Sequence, residues 1–339
     1  MIPVWVELSG ESPALAAAEA IAAAEALDGR TLLPGRGGRI PDGLLGVELP
    51  AASEVLQYAG RLALAHRCVT PVDPERDPLL ALAEAGRDGR SAAVRRIGRP
   101  RSGSTDPAVL EAGRAFKEGG GRISLESPDR RFWLAATTDG DDILLEEIAS
   151  VDRRAASQRR MPALPFQRPV SLPPRLARAA ANLARVRAGD AVLDPFLGTG
   201  ALLAEAGLLG GRLYGIDRDP AMVRGALRNF AHFGLHAESL LEGDAGAAEF
   251  EDPALRFRSI VTDPPYGRSS GSGGEEARRV VERIVPRWAE RVGPGGRVVV
   301  VVPGGYDPLG PPWAETLRVA VRVHRSLTRE FRVYERGVR

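Results

Sequence analysis

Short apolar runs punctuate this chain, and their arrangement changes character near residue 174. Before that point, strand-like and helix-like patterns follow one another without strict alternation. Residues 3–8 read as a strand. Ser12 as N-cap, Pro13 in the first turn and Gly29 as a stop predict a helix over 13–28. A strand at 44–49, a helix at 52–62 and a strand at 63–72 follow, with a weakly marked strand near 31–40. A second set comprises a helix at 78–86, a strand at 91–97, a helix at 107–118 and strands at 122–125, 131–137 and 142–149. Beyond Pro174 strands and helices alternate. A helix at 174–187 precedes a strand at 190–194, then come helix 199–209, strand 212–217, helix 219–234 and strands 238–242 and 258–262. Helix 275–292 leads into the valine run 297–302, apolar at nearly every position and therefore read as a strand buried on both faces. A hairpin is expected from 319–325 and 329–334.

This pattern predicts an α/β chain. Alternation after Pro174 implies an open, largely parallel Rossmann-like sheet at the C-terminus. It is preceded by α+β units, the first in the β-α-β-β-α-β order of a ferredoxin-like fold. The expected boundaries are a ferredoxin-like domain at 1–75, a second small domain at 76–150, a basic linker at 151–173 and the Rossmann-like domain at 174–339.

Length and composition agree. The chain has 339 residues, 44% of them apolar, enough for more than one core. Cys68 is the only cysteine, which excludes an intramolecular disulfide and favours a reducing, cytoplasmic compartment. The Ala-rich stretch 14–27 contains Glu19 and Glu25 and is no membrane span. No His/Cys cluster has metal-ligand spacing, so no metal is expected. Charge is uneven: residues 1–165 carry 21 basic and 24 acidic side chains, the remainder 25 and 20. Nine arginines and no acid lie between Arg153 and Arg187. That run, with Arg153, Arg154, Arg159, Arg160 and Arg168 as candidate contacts, suits a nucleic-acid backbone. A second cluster, Arg87 to Arg101, is opposed only by Asp88.

Candidate chemistry sits where predicted strands end, which is where open α/β sheets bind ligands. Asp194 ends the first strand of the alternating region and opens Asp194-Pro195-Phe196-Leu197-Gly198-Thr199-Gly200. Gly198 and Gly200 let the backbone turn and approach a ligand. Asp217 ends the next strand and suits a pair of ribose hydroxyls; Asp244 follows the third and suits an adenine amino group. A dinucleotide fingerprint would need glycine at 203, where Leu203 stands. The set points to S-adenosylmethionine.

Strand 258–262 delivers Asp263-Pro264-Pro265-Tyr266. An aromatic amine is a poor nucleophile because its lone pair is delocalised into the ring. The Asp263 carboxylate and the Pro264 carbonyl can accept its two N–H groups, which draws the nitrogen toward tetrahedral geometry. Tyr266 can stack on the base, an interaction worth about 1–3 kcal/mol. These residues predict methyl transfer to an exocyclic amine.

Several runs carry a family resemblance. Arg168-Pro169, Leu172 through Ala179 and Asn182-Leu183 resemble the segment before the donor loop of archaeal-type tRNA guanine-10 N2-methyltransferases. So do the motif at 194–200, which brings Phe196 and Thr199 into the expected donor set, and Asp-Pro-Pro-Tyr-Gly-Arg-Ser at 263–269. His324 through Arg329 also fits, and Gly121 through Asp129 is similar to part of a THUMP domain. The resemblance implies a THUMP domain at 76–150 that grips tRNA, and methylation of guanine N2 at tRNA position 10, once or twice. Only 62 residues separate Gly200 from Asp263, too few for an inserted recognition domain, so substrate choice is expected largely within residues 1–160. Other readings are guanine N2 at another tRNA or ribosomal RNA site, adenine N6, and a non-catalytic RNA-binding protein. A monomer is expected.

Overall fold

The computed structural model describes residues 1–32, 43–98, 106–137, 140–159, 164–168, 171–265, 273–324 and 327–337. Tyr266, Arg160, Arg99, Arg101, the Gly267-Arg268-Ser269 extension and most of the strand expected at 31–40 lie outside the described residues.

In chain order the first elements are β1 (Ile2–Leu8), α1 (Pro13–Glu25), β2 (Arg30–Thr31), β3 (Leu44–Leu49), α2 (Glu54–Arg61) and β4 (Ala65–Pro71). Then come α3 (Pro78–Ala85), β5 (Ser91–Arg96), α4 (Pro107–Glu118), β6 (Arg122–Ile123), β7 (Arg130–Ala136) and β8 (Asp142–Ser150). Helix α1 ends three residues earlier than expected. Asp28 adopts φ 59 and turns the chain before Gly29 is reached. Ser12 occupies the N-cap position without a side-chain cap bond.

The chain forms two compact units. The first comprises residues 1–11, 27–60 and 65–151. Its eight strands form one sheet in the order β2-β3-β1-β4-β8-β7-β5-β6. Strands from either side of residue 75 are joined by the antiparallel β4–β8 pair. Strand alternation divides the core between the faces. On β7, Phe132 and Leu134 pack with Ala81, Leu82, Ala112 and Phe116 of α3 and α4. Trp133 and Ala135 pack on the opposite side with Trp5, Val69, Ile143 and Leu145. The Arg67 guanidinium lies 3.5 Å above the Trp133 ring, whose Nε1 donates to Glu147 at 3.1 Å.

The second unit comprises residues 12–26, 61–64 and 152–339, so α1 packs here, against α6 (Pro174–Leu183). It also holds α5 (Arg153–Gln158), β9 (Ala191–Asp194), α7 (Ala201–Leu208), β10 (Arg212–Asp217), α8 (Pro220–His232) and β11 (Ala237–Glu242). The remaining elements are β12 (Phe257–Thr262), α9 (Gly273–Ala289), β13 (Val292–Val302), β14 (Trp313–His324) and β15 (Leu327–Arg336). The sheet order is β11-β10-β9-β12-β13-β15-β14. The five strands from β11 to β13 are parallel, and β15 and β14 are antiparallel. The Rossmann-like expectation holds. Val298 through Val302 are wholly buried, as the apolar run predicts. Tyr214, Phe250, Phe257 and Trp288 pack edge to face beneath the sheet, and Trp288 Nε1 donates to the Ala245 carbonyl at 2.9 Å.

Several elements here differ from the sequence expectation; strands β13 and β14 begin at Val292 and Trp313, five and six residues earlier than expected. Helix α5 lies inside what reads as linker; Asp152 Oδ1 caps it by accepting from Arg154 and Ala155 N–H at 2.9 and 3.0 Å. Helix α6 stops at Leu183, and the chain turns at Arg185 with φ 53.

Candidate active site

The C-terminal edge of the parallel strands gathers four carboxylates. Asp194 and Asp217 end β9 and β10. Asp263 follows β12 directly, and Asp244 sits two residues past β11, in the turn.

Asp217 is held by the donor loop itself. Its Oδ2 accepts from the Gly198 N–H at 2.7 Å and its Oδ1 from the Asp219 N–H at 2.9 Å. A carboxylate oxygen has a second lone pair, so this orientation leaves each oxygen able to accept from a hydroxyl. The loop glycines do different jobs. Both have positive φ, 52 at Gly198 and 78 at Gly200. A Cβ at Gly200 would fall 2.8 Å from the Phe230 ring, so this glycine lets α8 close in. A Cβ at Gly198 would meet only the Phe196 carbonyl oxygen, at 3.9 Å, so the space beside it is open to a ligand. Thr199 is buried, its hydroxyl 2.9 Å from that of Ser171. Phe196 is partly buried against the core. Asp244 is exposed. Its Oδ1 accepts from the Gly246 N–H at 2.8 Å, and Arg283 lies 3.3 Å from its Oδ2.

The other two carboxylates sit in a drier setting. Asp194 is buried, and its Oδ1 accepts from the Thr262 hydroxyl at 2.6 Å and the Phe196 N–H at 3.0 Å. Burial pushes its carboxyl up to about 7, with the two hydrogen bonds opposing and Asp217 assisting. Asp263 has a side chain 14% exposed, and Arg329 Nη1 donates to its Oδ2 at 2.6 Å. Burial raises this carboxyl to about 7 as well; the Arg329 charge opposes the rise and Asp194 adds to it. Pro264 is buried and Pro265 exposed.

Thr262 and Arg329 are the site residues that sequence reasoning missed as partners. Thr262 immediately precedes the acceptor motif, and its hydroxyl is the only polar side-chain group between Ile260 and Asp263. Arg329 lies within the run that carries the family resemblance, but its meeting with Asp263 depends on strand order. β15 runs antiparallel to β13, which returns its first residues to the edge where β12 ends.

The arginines between 153 and 187 divide. Arg159, expected among the RNA-facing set, instead forms an ion pair with buried Glu205 at 2.6 Å, shared with Arg178 at 2.7 Å. Arg185 pairs with Glu25 at 2.6 Å, and Arg175 donates to the Ala63 carbonyl. Arg187 donates to the Glu25 carbonyl. Among the described residues, three arginines of this acid-free stretch, Arg159, Arg178 and Arg185, are thus matched by acids distant in sequence. Arg154 and Arg168 are exposed, and Arg153 is half-buried.

The region 163–309 matches a family model described as an RMKL-like methyltransferase domain. A tRNA (guanine(10)-N2)-dimethyltransferase of Methanothermobacter thermautotrophicus is 35% identical over 240 residues, which take in 69% of this chain and 70% of that one. A protein of the same description from Pyrococcus abyssi is 36% identical over 233 residues, 63% of this chain and 64% of that one. Among solved structures, TrmN from Thermus thermophilus aligns with a TM-score of 0.53 at 24% identity, covering 99% of this chain and all of that one, which establishes a shared fold.

Proposed function

We propose a function from one premise: the chain belongs to the tRNA (guanine(10)-N2)-dimethyltransferase family. It is an S-adenosylmethionine-dependent methyltransferase acting on the exocyclic N2 of a guanine in tRNA, at position 10, giving the N2-methyl and N2,N2-dimethyl products. The observation that carries this reading is the Asp263–Pro264 pair, placed at the same strand edge as the Gly198–Asp217 loop and countered by Arg329.

The donor supplies a sulfonium methyl that is already activated, so the chain's task is placement. Asp217 would hold the ribose hydroxyls, and the open face of Gly198 would admit the donor beside the loop that Asp194 opens, with Phe196, Thr199 and Asp244 around it and Gly200 setting the turn against α8. The Asp263 carboxylate and the Pro264 carbonyl accept the two N–H groups of the guanine amine and aim the nitrogen at the methyl carbon. Arg329 acts through Asp263: a guanidinium at 2.6 Å fixes the carboxylate and favours its ionised form in a dry site. As the new N–C bond forms, the sulfonium S–C bond breaks and leaves a neutral thioether, and the proton shed by the nitrogen passes to an ionised Asp263. Tyr266 is the proposed stacking partner of the base.

A target guanine in a tRNA stem must leave its stack, at a cost of a few kcal/mol. We assign RNA capture to the THUMP domain at 76–150 beside a ferredoxin-like domain at 1–75, and to Arg153, Arg154 and Arg168 of the linker. The donor and acceptor residues come from one chain, so a monomer suffices, and the lone buried Cys68 suits the cytoplasm. Incubation of unmodified tRNA transcripts with labelled donor, then nuclease mapping, tests the reading. Label on N2 of guanine 10 is expected. Label on adenine N6, at another guanine, or nowhere overturns the assignment.

A further inference from the structure

Beside the donor loop the linker docks onto α8 through one aromatic ring. Phe166 N–H donates to Asn229 Oδ1 at 3.0 Å, and Asn229 Nδ2 donates to the carbonyls of Phe166 and Thr199, both at 3.0 Å. The buried Asn229 amide therefore ties linker, helix and donor loop together. The Phe166 ring lies directly on the helix backbone: a Cβ at Gly225 would fall 2.0 Å from it. Glycine inside a helix is less favourable than alanine, and here it makes room for the ring.

Two guanidinium groups gather on that ring. Arg168 Cζ lies 5.0 Å from its centroid and Arg228 Cζ 5.3 Å, so the charges are no more than about 10 Å apart. Arg224 stands one helical turn before Arg228, and all three side chains belong to exposed residues. Helix α8 carries no carboxylate between Pro220 and His232. Among the described residues no ion pair joins Arg168, Arg224 or Arg228 to an acid. Like charges four apart on a helix repel and slightly destabilise it. This contrasts with Arg159, Arg178 and Arg185, each matched to a glutamate.

We propose that Arg168, Arg224 and Arg228, ordered by Phe166, form a clamp for backbone phosphates of the RNA strand that enters the donor edge. The proposal rests on the tRNA-methyltransferase reading. Stacking on an aromatic face orders a guanidinium while its N–H edges stay directed outward, and that planar fork matches phosphate oxygens. Because Asn229 links the Phe166 backbone to the Thr199 carbonyl, a phosphate held here is anchored to the loop that would position the donor. The clamp thus sets the register of the strand against the active site, while sequence choice stays elsewhere, since phosphate contacts position without specifying.

The test is a titration of labelled, unmodified tRNA transcript against the full chain at several potassium chloride concentrations, with donor affinity measured separately by calorimetry. In R168Q/R224Q/R228Q the slope of log affinity against log salt should become shallower by about two to three, roughly one per lost phosphate contact, with unchanged donor affinity. The charge-retaining R168K/R224K/R228K should restore most of the slope. If the triple glutamine variant folds poorly, R228Q alone should lose about one unit of slope. A parental slope in folded glutamine variants overturns the clamp. So does weakened donor binding with the RNA slope intact, which would assign the arginines to the donor carboxylate. The two readings separate cleanly, because RNA binding is scored without methylation. A parent that methylates guanine N2 while the variants keep its slope sinks the clamp alone. A parent that fails to methylate tRNA, with the slope loss present, sinks the functional reading alone.

Discussion

Two ends of the same sheet edge use carboxylates in opposite ways. At the donor rim Asp217 and Asp244 are held by backbone N–H groups and remain open to solvent or ligand. Deeper in the same edge Asp194, which opens the donor loop, and Asp263, in the acceptor motif, are largely buried, held by a hydroxyl, an amide and a guanidinium, and both are pushed up to about 7. The contrast separates binding from chemistry. A rim carboxylate recognises hydroxyls and amines at little electrostatic cost. A buried one must be kept ionised by a partner to accept from an amine, and its partner becomes part of the mechanism.

The sharpest way to break that contrast is Asp263→Ala. Methyl transfer should fall by about 10³-fold or more, with donor affinity within several-fold of the parent by calorimetry. Near-parental turnover would place the chemistry elsewhere. Arg329→Ala should cost about 10²-fold by misplacing the carboxylate, with Arg329→Lys recovering part of it. The same pair carries a pH signature. The proposed role of Asp263 requires its ionised form, so kcat/KM should rise with pH through about 7 and be lost as pH falls below that value. Removing the Arg329 charge removes what opposes the rise, so the limb should move to higher pH. A profile that stays in place would make Arg329 merely structural. At the rim, Asp217→Ala should weaken donor binding by about 10- to 100-fold, the loss of hydrogen bonds to a charged group, with the pH limb unchanged. Asp244→Ala should cost only a few-fold, because that carboxylate is exposed and shares itself with Arg283.

Much of this site is legible in the sequence because its signals are local. Asp194, Asp217 and Asp263 stand at or just past predicted strand ends, and apolar runs bounded by turn residues locate those ends. The helix at 107–118 and the strand at 212–217 match to the residue. Misses occur where a local signal is weak or outweighed. Helix α5 has one good cap, Asp152, but too few apolar positions to show a period. Gly29 looks like the stop of α1, yet Asp28 turns the chain first. Gly198 and Gly200 read alike in sequence, and only the position of Phe230 shows that one serves packing and the other leaves space for a ligand.

Charge was the least legible property. The acid-free arginine run reads as a continuous basic stripe, but Arg159 finds Glu205 46 residues away and Arg185 finds Glu25 160 residues away. Arg329 reaches Asp263 across 66 residues because β15 reverses beside β13. The sequence by itself determined the order of elements, the carboxylates at the strand ends and the amine-methylating motif, since periodicity, caps and turns act over a few residues. Only the tertiary structure decided which arginines are spent inside the fold and which stay exposed, and which one pairs with Asp263. Ion pairing depends on distance in space, and strand order, not sequence separation, sets that distance.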